Sequence, residues 1–102
     1  MKAPHRQTQR VVVVDGQPLA RAGLHALVDA LPGFACIGAA ADRAGGLQAC
    51  LDLQPDIVLL DLHLPGGSST SGRAGHEQPE GLELARTLNQ AAPRQRVVAL
   101  SS

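Results

Sequence analysis

Apolar residues in this chain come in short unbroken runs, separated by longer stretches in which they recur with helical spacing. VVVV at 11–14 is β-branched throughout, which predicts a strand buried on both faces rather than one that alternates in and out. Pro18 suits a first helical position. Leu24, Leu27, Val28 and Leu31 then fall at i, i+3, i+4 and i+7, predicting a helix with one apolar face that Pro32 and Gly33 end. Residues 34–39 read as a second strand. Asp42 can cap a second helix striped by Leu47, Cys50 and Leu51, with Gln54-Pro55 as its stop. IVLL at 57–60 predicts a third buried strand, 80–89 a third helix with Leu84, Ala85 and Leu88 inward, and 97–100 a fourth strand. No internal repeat appears.

Strands alternating with helices imply right-handed crossovers and an α/β fold, a parallel sheet with helices on both faces. Sites in such folds gather at the carboxyl ends of the strands. Here VVVV ends in Asp15, IVLL ends in Asp61 and VVAL ends in Ser101, so three polar residues are expected along one edge.

Composition narrows what that edge can serve. A chain of 102 residues holds one small domain, and with Phe34 as its single aromatic it must build its core from Leu, Val, Ile and Ala. Nine basic and nine acidic residues cancel, which argues against a whole-surface attraction to nucleic acid or an anionic membrane. Single-strand binders also need stacking aromatics that this chain lacks. Cys36 and Cys50 are too few for a disulfide framework and lack metal-site spacing, so both are expected to be buried thiols in a cytoplasmic setting. No window approaches the ~20 apolar residues of a membrane span. The first ten residues, MKAPHRQTQR, carry basic charge and no acid and are expected to form a disordered N-terminus.

Four fragments, VVVVDGQPLARAGLHALV, PDIVLLDLHLPG, EGLELARTLN and RVVALSS, together resemble response-regulator receiver domains of bacterial two-component systems. The resemblance is greatest to the subfamily whose receivers precede a helix-turn-helix DNA-binding domain, where Pro-Leu-x-Arg-x-Gly-Leu is common in the first helix; Pro18, Leu19, Arg21, Gly23 and Leu24 fit it. It implies a flavodoxin-like doubly wound parallel sheet of order 2-1-3-4. It also implies that a histidine kinase is the partner, and that Asp61 is the phosphoacceptor. Ser101 matches the hydroxyl that hydrogen-bonds the phosphoryl group and acts as a switch. Asp15 and the backbone carbonyl of His63 match ligands of a Mg2+ ion, to which Asp61 itself contributes. Pro65 and Gly66 match the structural turn after the site.

Three departures from the pattern stand out. The second of two consecutive acids after the first strand is replaced by Gly16, which removes one negative metal ligand. Residues 67–79 form a Ser-, Thr- and Gly-rich insertion before the third helix, expected to be a flexible surface loop. Receivers continue through a fifth strand, ending in a lysine that pairs with the phosphoryl group, and a fifth helix. The chain ends at Ser102, so an incomplete receiver over 11–102 is expected, with 97–100 as an apolar edge open to self-association.

Physical chemistry asks for the same constellation independently of the family. A carboxylate that attacks a phosphoryl group brings like charge toward like charge, so a hard oxygen-seeking cation must neutralise the developing oxyanions. The main alternative is a degenerate receiver that acts only as a protein-interaction domain. Two others are weaker. D-L-H-L-P-G matches the histidine motif of cobalamin-binding domains, yet their later Ser-x-Leu and Gly-Gly elements are absent. Haloacid-dehalogenase-type phosphatases need D-x-D after the first strand, where Asp15-Gly16-Gln17 lacks the second acid. No phosphate-binding glycine loop and no Ser-His-Asp order mark a classical enzyme. His5, His25 and His76 suggest no metal cluster.

Overall fold

The computed structural model describes residues 8–64 and 80–100. Seven elements follow one another: β1 (Gln9–Val14), α1 (Pro18–Ala30), β2 (Phe34–Ala40), α2 (Arg43–Leu53), β3 (Ile57–Asp61), α3 (Glu80–Ala91) and β4 (Arg96–Leu100). All strand pairings are parallel and the sheet order is β2-β1-β3-β4, as the alternation of elements requires. Ser101, Pro65, Gly66, the 67–79 insertion and residues 1–7 lie outside the described residues.

β1 occupies the middle because all of its valines can be buried. Val12 and Val14 face one core with Val58, Leu60, Cys50, Leu84 and Leu88, beneath α2 and α3. Val11 and Val13 face a second, smaller core with Val28, beneath α1. Fully burying side chains such as Leu60, Leu84 and Leu88 contributes about 2 kcal/mol each, so the face beneath α2 and α3 carries most of the stability. Gly46 lets α2 sit close: a Cβ there would stand 2.8 Å from a methyl of Leu84 and 2.9 Å from one of Val14. Between Val11 and Val12 the register against β2 shifts by one residue, leaving Ile37 as a bulge.

Helix limits follow local chemistry. Asp42 caps α2 by accepting from the Gly45 amide at 2.7 Å, as expected. α2 ends at Gln54, which adopts the left-handed conformation (φ 49°). α1 begins with Pro18 and ends where Leu31 turns to extended backbone.

Several expectations need correction. Arg10, assigned to a disordered basic N-terminus, belongs to β1. Its guanidinium donates to the carbonyls of Leu53 and Gln54, each at 2.8 Å, and its amide donates to Asp56 at 2.8 Å. A cation there complements the carboxyl end of α2, where unpaired carbonyls carry negative partial charge. Leu27, Leu31 and Leu51, expected on inward stripes, are exposed. Leu31 leaves the helical register because it follows the last residue of α1. Leu27 sits on the flank of α1 away from Leu24 and Val28, and no described element packs there. Leu51 turns outward beside inward Cys50. β3 is buried at Val58 and Leu60 but only half-buried at Ile57 and Leu59, since α1 covers its own face less completely.

The two thiols also differ. Cys50 is fully buried, whereas Cys36, on edge strand β2, is only half-buried. Burial pushes the Cys50 thiol up to about 11, and burial likewise raises Cys36. A thiol raised in the folded state contributes stability that is complete below the ordinary value of 9.0 and lost as pH climbs toward about 11. Urea unfolding measured across that alkaline range should therefore show a falling midpoint, with a smaller fall in Cys50→Ala. Equal falls would remove Cys50 as the cause.

Candidate functional site

Strand register brings two acids to one edge. Val14 pairs with Ala40 on one side and Leu60 on the other, so Asp15 and Asp61, each the next residue along, leave adjacent strands at the same height. Neighbouring strands lie about 4.8 Å apart, which makes the two acids neighbours. Leu100 of β4 is the register partner of Asp61. Ser101, the residue after it, falls outside the described residues.

Both acids adopt the same local arrangement. Asp61 Oδ1 accepts from the backbone N–H of His63 at 2.9 Å, and Asp15 Oδ1 accepts from that of Gln17 at 2.9 Å. Each carboxylate thus folds back onto the amide two residues later, a local bond that short acidic side chains favour. Among the described residues neither Oδ2 accepts a hydrogen bond. Asp15 is 8% exposed and is the buried charged residue of the described chain, while Asp61 is half-buried and His63 exposed.

Asp15 is held at more points than Asp61. Its amide donates to the Ala40 carbonyl at 3.0 Å, and its carbonyl accepts from Arg21 Nη1 at 2.9 Å. The β3 side is held through the backbone instead. Leu62 donates to Leu100 at 3.1 Å, and its carbonyl accepts from the Gly81 amide at 3.0 Å. Gly81 is buried, and a Cβ built there would run into the Asp61 carbonyl oxygen and the backbone of Leu62. The first turn of α3 therefore rests directly on the peptide of Asp61. Beside it, Glu80 accepts from Arg43 at 3.0 Å, an ion pair joining the amino ends of α2 and α3.

Of the expected metal ligands, the carboxylates of Asp15 and Asp61 stand at this edge. Among the described residues no group of three or more His, Cys, Asp or Glu side chains comes together to hold a metal ion. What the two acids offer is oxygen: among the described residues, Oδ2 of Asp15 and Oδ2 of Asp61 each lack a hydrogen-bond partner. That donor set fits Mg2+, which takes one or two protein carboxylates and keeps several waters, and it does not fit a nitrogen- or sulfur-seeking metal.

Sequence reasoning named both acids but passed over Arg21, Gly81 and the Arg43–Glu80 pair. Arg21 stood in the Pro-Leu-x-Arg pattern without a role, and Gly81 in Glu-Gly-Leu read only as a helix start. No helix of the described residues is long and apolar enough to cross a membrane.

No protein-family model matches the chain. It is 37% identical over 57 residues to the transcriptional regulatory protein LiaR of Bacillus subtilis, covering 56% of this chain and 27% of LiaR. It is 33% identical over 93 residues to protein-glutamate methylesterase/protein-glutamine glutaminase 5 of Myxococcus xanthus, covering 91% of this chain and 23% of that protein. Among solved structures, the signal receiver domain of the response regulator NarL from Mycobacterium tuberculosis superposes with a TM-score of 0.76 at 27% identity, covering 93% of this chain and 67% of that one. The chain thus spans about a quarter of the length of these two curated relatives.

The seat of α3 can be tested by adding one methyl group. Gly81→Ala should lower the urea-unfolding free energy by roughly 3 kcal/mol, because backbone rather than a flexible side chain stands in the way. Gly23→Ala, in open space on α1, should leave it unchanged or raise it slightly. Similar small effects from both would mean that α3 is not seated on Asp61.

Proposed function

We propose that this chain, which has the fold and sequence pattern of a response-regulator receiver domain, accepts a phosphoryl group on Asp61 from a histidine kinase. One observation carries the reading: Asp61 ends the central strand β3 beside Asp15, with Oδ1 occupied by the His63 amide and Oδ2 without a hydrogen-bond partner among the described residues. Oδ2 is then the nucleophile. It forms a bond to phosphorus as the bond from phosphorus to the kinase imidazole nitrogen breaks, and that nitrogen leaves with its electron pair and is protonated by solvent. Asp15, Asp61 and the His63 carbonyl would hold Mg2+, which would supply positive charge against the oxyanions. The chain is a stoichiometric acceptor in this reading, not an enzyme with turnover of its own.

Arrival of about two negative charges at Asp61 is the switching event. Ser101 hydrogen-bonds the phosphoryl group and couples it to β4, whose displacement is read by an output partner. The cytoplasm is the compartment where such a kinase and its Mg2+ are met. The second reading, a phosphorylation-independent interaction domain, is favoured by the Gly16 turn, which brings one acid where receivers carry two.

Acetyl phosphate with Mg2+, followed by intact-mass analysis, separates the readings. Wild type should gain one phosphoryl group, Asp61→Ala none, and Gly16→Asp should react at roughly tenfold lower Mg2+ because ligand charge sets affinity. A wild type that gains no mass at any Mg2+ level leaves the interaction-domain reading.

β4 supports a further partner, a second copy of the chain. It is an edge strand with Val98 44% exposed, and open apolar edges pair with one another. Sedimentation velocity should show concentration-dependent dimers that Val98→Lys abolishes. A monodisperse monomer at every concentration would contradict this.

A further inference from the structure

The geometry points to Arg21 as the positioning residue that makes a single acid at the end of β1 sufficient for Mg2+; this rests on the phosphoacceptor reading above. The turn from β1 to α1 has lost its second acid and contains Gly16, the residue with the greatest backbone freedom. A turn of that composition would let Asp15 wander, and a carboxylate that must first be ordered binds a cation more weakly. Arg21 and Gln17 close the turn around Gly16 from both sides. Gln17 donates its amide to Asp15 Oδ1 at 2.9 Å, and Arg21 donates Nη1 to the Asp15 carbonyl at 2.9 Å. The Arg21 amide also donates to the Gln17 carbonyl at 2.8 Å, so the same residue is tied to the turn twice.

What matters is the atom that Arg21 chooses. A guanidinium beside a buried carboxylate ordinarily forms a paired bridge to its two oxygens. Here it takes the backbone carbonyl instead, and no ion pair links Arg21 to Asp15. With the amide on Ala40, the carbonyl on Arg21 and Oδ1 on Gln17, Oδ2 is, among the described residues, the one polar atom of Asp15 without a hydrogen-bond partner. Arg21 fixes the carboxylate without consuming it.

A role through charge alone predicts the opposite sign, since removing a cation from beside a Mg2+ site strengthens binding by relieving repulsion. Positioning predicts that removal weakens it, as losing a group that orients a ligand does. The test is Mg2+ affinity of the full chain by isothermal titration calorimetry, for wild type, Arg21→Met and Arg21→Lys, with thermal unfolding in EDTA as the fold control. The expected result is about tenfold weaker binding in Arg21→Met, largely recovered in Arg21→Lys, which still reaches a carbonyl. Unchanged or tighter binding in Arg21→Met overturns the inference, and so does a variant that fails to fold in EDTA, which would make Arg21 a stability residue. A wild type that takes a phosphoryl group on Asp61 while Arg21→Met binds Mg2+ normally sinks this inference alone. A wild type that binds no Mg2+ and takes no phosphoryl group sinks it together with the reading beneath it.

Discussion

Val11 to Val14 are buried because β1 is hydrogen-bonded to a strand on each side and covered by helices on each face, and this placement fixes the height at which Asp15 leaves the sheet. The same registers tie Leu60 to Val14 and Asp61 to Leu100. A slip of one residue in either pairing would turn the inward side chains of β3 to the opposite face, and two cores with different shapes forbid it. Packing of hydrocarbon therefore sets how the two acids stand to one another at the sheet edge.

Charge at the edge is arranged to leave the acids available. Arg21 is parked on a carbonyl and Arg43 on Glu80, so neither cation occupies the carboxylate oxygens of Asp15 or Asp61. Arg43 begins α2, where a positive side chain opposes the partial charge of the helix amino end. Its compensation comes from Glu80, which is well placed for the amino end of α3 and is largely buried. Local preference is violated at one helix and satisfied at the next, and the ion pair between them holds both helices against the edge. Such violations concentrate where a fold serves something besides its own stability.

Much of this could be read from spacing. Unbroken apolar runs marked the central strands, Pro18 and Asp42 marked helix starts, and the order of elements required a parallel sheet with Asp15 and Asp61 at its carboxyl edge. Helix faces were less legible. Leu27, Leu31 and Leu51 sit at inward spacings, yet spacing cannot tell whether an element exists to cover them or where the last helical turn ends. Arg10 was misread because a basic residue near a terminus resembles a solvated arm, whereas its partners, the carbonyls of Leu53 and Gln54, lie more than forty residues away. Gly81 and Arg21 act on backbone atoms of residues brought near by the fold, and backbone acceptors leave no trace in a residue pattern.

The two acids are held by different means, and that difference bears on how the edge can work. Asp61 is rigid from below: its strand is hydrogen-bonded on both sides, and α3 bears on its peptide at a glycine that admits no side chain. Asp15 lies beyond its strand, on a turn whose shape depends on side-chain and amide hydrogen bonds spanning Gly16. As the proposed nucleophile, Asp61 would gain from rigidity, since in-line attack tolerates little misplacement. A metal ligand can tolerate adjustment, provided its resting position is already close, because Mg2+ demands near-octahedral geometry once bound. On the proposed reading, with Gly16 rather than an acid beside Asp15, that resting position is not enforced by a neighbouring carboxylate sharing the ion. The hydrogen bonds of the turn are what remain to enforce it, and the strength of the site passes from the number of its charges to the order of its backbone.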